Sequence, residues 1–174
     1  MNKIAIFVDV QNIYYTTRQS YDRQFDYKKL WQRISNEGKI VYAYAYAIHR
    51  GDDQQIKFQD ALKHIGFTVK LKPFIQRSDG SAKGDWDVGI TIDVMKIAKD
   101  VDSVILLSGD GDFGLLLEQI RNDFGVSTQV YGVPTLTAKN LIDSSNVFHP
   151  ITEELTLWVI KLNVFHTSWV ENKK

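Results

Sequence analysis

The apolar run Val104-Ile105-Leu106-Leu107 breaks into Ser108-Gly109-Asp110-Gly111-Asp112-Phe113, and that junction limits what this chain can fold into. A short apolar run closed by a glycine turn reads as a strand buried on both faces. The two glycines let the backbone turn sharply and come close to a ligand. A helix then starts at or near Asp112. Two acids therefore stand at the carboxyl edge of a sheet, the edge where open α/β folds bind ligands. The first strand, Lys3 to Val8, also ends in an acid, Asp9. Two strands that bring acid to one edge predict a shared anionic pocket, and an oxygen-only pocket suits Mg²⁺ or Mn²⁺.

Composition narrows the class. A length of 174 residues fits one domain with a sizeable core. Lys+Arg and Asp+Glu each number 21, so the net charge is zero. The protein is not coated in positive charge for nucleic acid, and only a local basic face is left to steer one. Cysteine is absent, which excludes disulfides and thiolate metal sites. The N-terminus enters a short strand with Asp9 at its end, unlike a signal peptide, and no apolar run is long enough to span a bilayer. The expectation is a cytoplasmic protein.

Strand and helix signals alternate along the chain. After Asp9 a turn leads into a short helix ending near Arg18. Asp26 caps a helix with Leu30, Trp31 and Ile34 on one face. Ile40 to Ile48 is the second strand. Asp52 or Asp53 opens a helix that Gly66 closes. Phe67 to Leu71 is the third strand, and Pro73 to Gly84 a polar loop. Asp85 to Val101 is a helix with Ile90, Val94, Ile97, Ala98 and Val101 in one stripe. Leu115 to Phe124 is a helix closed by Gly125, Ser127 to Tyr131 the fifth strand, and Leu136 to Ile142 a short helix. Asn146 to Phe148 is a last short strand. Thr152 caps a final helix with Leu155, Trp158, Val159, Leu162 and Phe165 on one face. The alternation predicts an α/β three-layer sandwich, with a mainly parallel sheet of about five strands and helices on both faces.

The acids differ in what each can say alone. Asp9 serves equally as a metal ligand or as a cap for the helix after it. Asn12 can orient a phosphate or bond the local backbone, and alone the second reading is stronger. Asp87 lies one turn before the apolar stripe, on the sheet-facing side, where an unpaired acid is costly to bury. Asp85 reads as the N-cap of the same helix, and Asp93 lies on the flank of the stripe. Asp110 and Asp112 together exceed what one helix needs as a cap. Ser108 can bond a carboxylate or a phosphate oxygen. Asp9, Asp87, Asp110 and Asp112 come from three segments that converge on one edge. Such crowding is tolerable around a divalent cation, which can activate water and stabilise charge in phosphodiester hydrolysis.

At these residues the sequence resembles an NYN domain, of the PIN-like nuclease superfamily, and its LabA-like members most. The matching pieces are Ile6-Phe7-Val8-Asp9-Val10-Gln11-Asn12, Lys83-Gly84-Asp85-Trp86-Asp87-Val88 with Asp93 beyond it, and Leu106 to Phe113. A weaker match is Gly125-Val126 with Val130-Tyr131-Gly132. The resemblance implies a PIN-like, Rossmannoid domain over residues 1–150, with the first and fourth strands adjacent. Residues 151–174 would be a C-terminal helical extension packed on the same domain. It further implies a Mg²⁺- or Mn²⁺-dependent ribonuclease site. The family's acids, metal ligands and catalytic groups together, carry onto Asp9, Asp87, Asp110 and Asp112, and its strand-one Asn onto Asn12. Asp85 is an extra acid and leaves open which of Asp85 and Asp87 takes the metal. The helical stripe favours Asp87.

Single-stranded RNA is the expected partner. Asn12, Ser108 and Lys83 are the expected substrate contacts. Arg18, Arg23, Lys28, Lys29, His49, Arg50, Lys70, Lys72 and Arg77 form a surrounding basic rim, with Tyr14, Tyr15, Tyr21 or Trp86 to stack unpaired bases. The apolar stretch around Leu157 to Ile160 reads as core, with burial against a second copy in a homodimer as the alternative. The competing functional reading is a non-catalytic RNA-binding or regulatory module. A small-molecule phosphohydrolase of the haloacid-dehalogenase kind is disfavoured, because Gln11 stands where it needs a second Asp. A receiver-like phospho-acceptor lacks its paired acids.

Overall fold

The computed structural model describes residues 1–73, 75–76, 82–83 and 85–158. The first half comprises β1 (Lys3–Asp9), α1 (Val10–Tyr21), β2 (Gln24–Phe25), α2 (Tyr27–Ser35), β3 (Lys39–His49), α3 (Asp53–Ile65) and β4 (Thr68–Pro73). Then come β5 (Ile75–Gln76), β6 (Ala82–Lys83), α4 (Asp87–Ile97) and β7 (Ser103–Leu107). The chain continues through α5 (Gly114–Phe124), β8 (Ser127–Gly132), α6 (Lys139–Ser144), β9 (Val147–Pro150) and β10 (Thr156–Leu157).

Six strands form one sheet in the order β4-β3-β1-β7-β8-β9, and every pairing in it is parallel. Chain order runs down to β1 and up from β7, so the two strands that end in acidic turns are neighbours. Val8 pairs with Leu107, which sets Asp9 beside Ser108 at the carboxyl edge. This is the expected α/β three-layer fold, and β9 is the last short strand expected at Asn146 to Phe148.

Period-two alternation divides β1 between two cores. Ile4, Ile6 and Val8 pack with residues of α1, α2 and α3. Ala5 and Phe7 pack with residues of α4, α5 and α6 on the other face. All five residues of β7 are buried, which matches a central parallel strand. The capping signals act as expected. Asp26 accepts the Lys29 N–H at 3.0 Å and Asp52 accepts the Gln55 N–H at 2.8 Å. Gly125 closes α5 at a φ of 63°, a conformation that favours glycine.

Three expectations need revision. The helix expected from Asp85 starts at Asp87, and the Asp85 carboxylate accepts the Asp87 N–H at 3.3 Å. Within the expected polar loop, Ile75–Gln76 pairs antiparallel with Ala82–Lys83. The final helix does not begin after Thr152. Glu153–Leu155 is a 3-10 turn, and Thr156–Leu157 pairs antiparallel with β2. The backbone there is tied into the N-terminal half. Asp26 N–H donates to the Leu155 carbonyl at 2.7 Å, and the Tyr21 hydroxyl donates to the Ile151 carbonyl at 2.7 Å. Pairing with β2 needs extended backbone, and a helix would remove it. Residues 159–174, which carry the rest of the expected helix, lie outside the described residues.

α4 is clamped on β3 and β4 by polar contacts. Trp86 Nε1 donates to the Ala47 carbonyl at 2.9 Å. The Asp93 carboxylate accepts from the Tyr46 hydroxyl at 2.8 Å and from Lys70 Nζ at 2.6 Å. Burial pushes the Asp93 carboxyl up, but the bonds from Lys70 and Tyr46 outweigh it and hold it below its ordinary range. Asp93→Ala removes both bonds and leaves a fully buried tyrosine hydroxyl without this acceptor. Urea melts should show a loss of about 1–3 kcal/mol. A change under about 0.5 kcal/mol would mean that this contact is not a clamp.

Candidate functional site

The loop after β7 is held by hydrogen bonds that it could not make alone. Ser108 is buried, and its hydroxyl donates to Asp9 Oδ2 at 3.1 Å while accepting the Asp110 N–H at 3.1 Å. Asn12 Oδ1 accepts the Gly109 N–H at 2.9 Å. Gly109 has no room for a side chain, since a Cβ there would lie 2.4 Å from the Leu136 carbonyl oxygen. Its own carbonyl accepts the Ala138 N–H at 3.0 Å. Asn140 Nδ2 donates to the Gly111 carbonyl at 2.7 Å. Asp110 caps the short turn Gly111–Phe113 by accepting the Asp112 N–H at 2.9 Å. One acid of the pair thus caps, and the second, Asp112, is exposed.

Asp87, Asp110 and Asp112 each offer a carboxylate oxygen, and the three oxygens lie within 4.8 Å of one another. The start of α4 is thereby brought to the loop after β7. The Asp87 carboxyl is pushed up to about 7. Burial is the largest cause, followed by its hydrogen bond to the Asp110 carboxyl and the negative charges of Asp110, Asp85 and Asp9. Asp9 stands outside the three-oxygen set but within reach of its field. Burial pushes its carboxyl up to about 6, partly offset by the Ser108 hydroxyl and the nearby Asn12 N–H. The Asn12 N–H faces the Asp9 carboxylate at the start of α1 without reaching the capping geometry of Asp26 and Asp52. Asp85 is exposed, and Asp93 is engaged with Lys70 and Tyr46.

The remaining expectations divide. Ser108 has its hydroxyl occupied on both sides, so its place is to position Asp9 and Asp110. Asn12 uses its oxygen on Gly109, and its amide N–H groups have no partner among the described residues. Lys83 lies in β6, with its side chain outside the description, as does Arg77 altogether. Part of the basic rim is turned to internal partners. Arg23 pairs with Glu153 at 3.3 Å, Lys29 with Glu154 at 3.6 Å, and Lys70 with Asp93. Tyr21 and Trp86 are also engaged through their polar atoms. Tyr14 and Tyr15 are exposed, and the Arg18 guanidinium lies over the Tyr14 ring.

A family model described as the NYN domain matches residues 3–153. The chain belongs to the NYN domain family. That makes it a PIN-like, nuclease-type domain. It is 33% identical over 128 residues to the low amplitude and bright protein LabA of Synechococcus elongatus, covering 69% of this chain and 68% of that protein. A solved structure of a Vibrio parahaemolyticus protein of unknown function is 53% identical, with a TM-score of 0.86 over 90% of this chain and 96% of that one. No helix among the described residues is long and apolar enough to cross a membrane.

The donor set of this NYN domain suits a hard divalent cation. Its three ligand atoms are carboxylate oxygens, and burial together with the neighbouring acids favours the protonated form of Asp87. Sequence reasoning missed Asn140, which holds the loop from 29 residues away. Only the Asn in the short helix after the fifth strand could have signalled it, and nothing marked that Asn as special.

The sign of the pH dependence follows from the raised carboxyls. A folded pKa above the unfolded one stabilises the protein at low pH, and the contribution is lost as pH rises through the folded value. For Asp9 and Asp87 that window runs from the ordinary carboxylate value of 3.8 up to about 6 and about 7, respectively. The melting temperature of the metal-free protein should therefore fall across this window. Asp87→Asn should flatten the fall and melt about 2–4 °C above wild type on its alkaline side, with less gain from added Mg²⁺. Parallel slopes in the two proteins would contradict the crowding. Asn140→Ala should weaken Mn²⁺ binding about tenfold by calorimetry, with Asp87 and Asp110 intact.

Proposed function

We propose that this NYN domain is a divalent-metal-dependent ribonuclease that hydrolyses phosphodiester bonds of single-stranded RNA. The observation that carries the reading is the convergence of Asp87, Asp110 and Asp112 within 4.8 Å, at the strand edge where open α/β sheets bind ligands. The family membership supports it independently.

Each residue has a role that follows from its surroundings. Asp87, Asp110 and Asp112 hold Mg²⁺ or Mn²⁺ through hard oxygen donors. The bound ion supplies Lewis-acid stabilisation of the phosphate oxygens and lowers the pKa of water. Asp9 completes the anionic floor. Its carboxyl, pushed up to about 6, takes up and releases a proton near neutrality, as a general base requires. Ser108 fixes Asp9 and Asp110 relative to each other. Asn12, with its oxygen committed to Gly109, presents its N–H groups to a non-bridging phosphate oxygen. Lys83, in the segment just before α4, contributes positive charge to the same phosphate. The zero net charge makes binding local to this edge and strongly salt-dependent.

The test is cleavage of a labelled single-stranded RNA with Mg²⁺ or Mn²⁺. Wild type should cut only with metal. Outer partners of metal ligands typically contribute 10–100-fold, so Asp110→Asn should lower the rate by more than about a hundredfold. Asp123→Asn, on the exposed face of α5 outside the cluster, should retain most activity. Equal background from wild type and Asp110→Asn, with RNA binding kept, would replace the nuclease reading with a non-catalytic RNA-binding module.

A further inference from the structure

A cavity of about 550 Å³ opens beside the acidic edge, between α1 and α3 and above the end of β3. Small-ligand pockets span about 300–1,000 Å³. Gln11, two residues after Asp9, lines its near wall. Its floor includes Ala47, next in the chain to Tyr46, which pairs in register with Asp9. The cavity and the acids therefore share β1 and the start of α1.

Gln59 lines this cavity from α3 and is only 6% exposed. Its side-chain amide has no hydrogen-bond partner among the described residues. Solvent reaches that amide through the cavity, so its donors and acceptor are open to a ligand. A glutamine amide offers two donors and an acceptor in one plane, the pattern that pairs with the edge of a nucleobase. Phe58 adds an apolar wall. Tyr14 and Tyr15, 46% and 50% exposed, also line the cavity, with ring centroids 5.4 Å apart. Arg18, Arg50 and Asp52 line it too, a lining that suits a nucleotide, a heterocycle with a phosphate beside it. Arg18, itself part of the lining, lies over the Tyr14 ring.

We propose that this cavity takes one unpaired base of the RNA, adjacent to the phosphate that is cut, and that Gln59 reads its edge. Gln59 is then a specificity-determining residue, with Tyr14 and Tyr15 stacking against the base. This rests on the nuclease reading for its consequence, a sequence preference in cleavage. The base pocket itself stands on its own geometry.

Two measurements separate the two ideas. In the first, a randomised single-stranded RNA is cut by wild type and by Gln59→Leu with Mn²⁺, and the ends are sequenced. Wild type should favour one base at a fixed position from the cut, and Gln59→Leu should reduce that preference about tenfold. The same preference in both proteins overturns the proposal. In the second, binding of the four homopolymeric oligonucleotides is measured by fluorescence anisotropy in EDTA. Wild type should rank them by base, and Gln59→Leu should lose the ranking. A ranking that depends on Gln59 without any cleavage keeps the pocket and removes the nuclease. Cleavage with no effect of Gln59 on either readout does the reverse. Gln59→Leu should melt at or above wild type, because its amide has no bond to lose, and a marked fall would overturn the premise. Tyr15→Ala, on an exposed ring, should weaken binding of the favoured oligonucleotide severalfold with the fold intact, and unchanged binding would count against the stacking arm.

Discussion

The adjacency of β1 and β7 is the constraint on which the rest of the structure depends. Strand order turns at this pair, so the connections leaving the two strands diverge and open a crevice. Both strands end in acid. The fold therefore concentrates negative charge where the backbone has the most room for a ligand. Burial first, and the neighbouring negative charges after it, raise the Asp87 carboxyl to about 7 and the Asp9 carboxyl to about 6. The structure tolerates this concentration because the floor is rigid. Ile4 to Val8 and Val104 to Leu107 are almost wholly removed from solvent, and acids mounted on such strands cannot move apart to relieve repulsion.

Main-chain donors hold the acids in a way that side chains alone could not. The N–H groups of Gly109, Asp110 and Asp112 each meet an oxygen of Asn12, Ser108 or Asp110. This directs the loop's positive dipoles inward, against the anionic charge. Gly109 makes the arrangement possible, because a side chain there would meet the backbone at Leu136. The remaining ligand comes from α4, which Trp86, Tyr46, Lys70 and Asp93 fix to β3 and β4. Asp93 thus serves the site at a distance, by holding the helix whose first residue is Asp87. Membership of the NYN family and a 0.86 TM-score to a relative 53% identical place this architecture within a shared fold.

Much of the fold was legible because its signals are local. A strand buried on both faces is an apolar run wherever it occurs, and Asp26, Asp52, Gly66 and Gly125 mark helix ends through bonds or angles within one turn. Asp110 and Asp112 were legible for the same reason, as two acids in a glycine turn. Asp87 was legible through helical period, which set it on the sheet side of α4. The segment after Thr152 was misread because its apolar residues fit a helical stripe equally well. Its strand exists only because β2 offers an edge, and β2 lies more than a hundred residues earlier.

The sequence by itself determined the alternation of strands and helices, the acids at two strand ends, and the glycines that bring backbone close to them. Each of these is a property of neighbours along the chain. Only the tertiary structure decided that Asp87 joins Asp110 and Asp112, that Asp93 turns to Lys70, that Ser108 and Asn12 brace the loop, and that Gln59 faces a cavity without a partner. Those outcomes depend on which faces meet when the sheet closes. Contact between distant residues is set by packing of the whole core, and no short stretch of sequence encodes it.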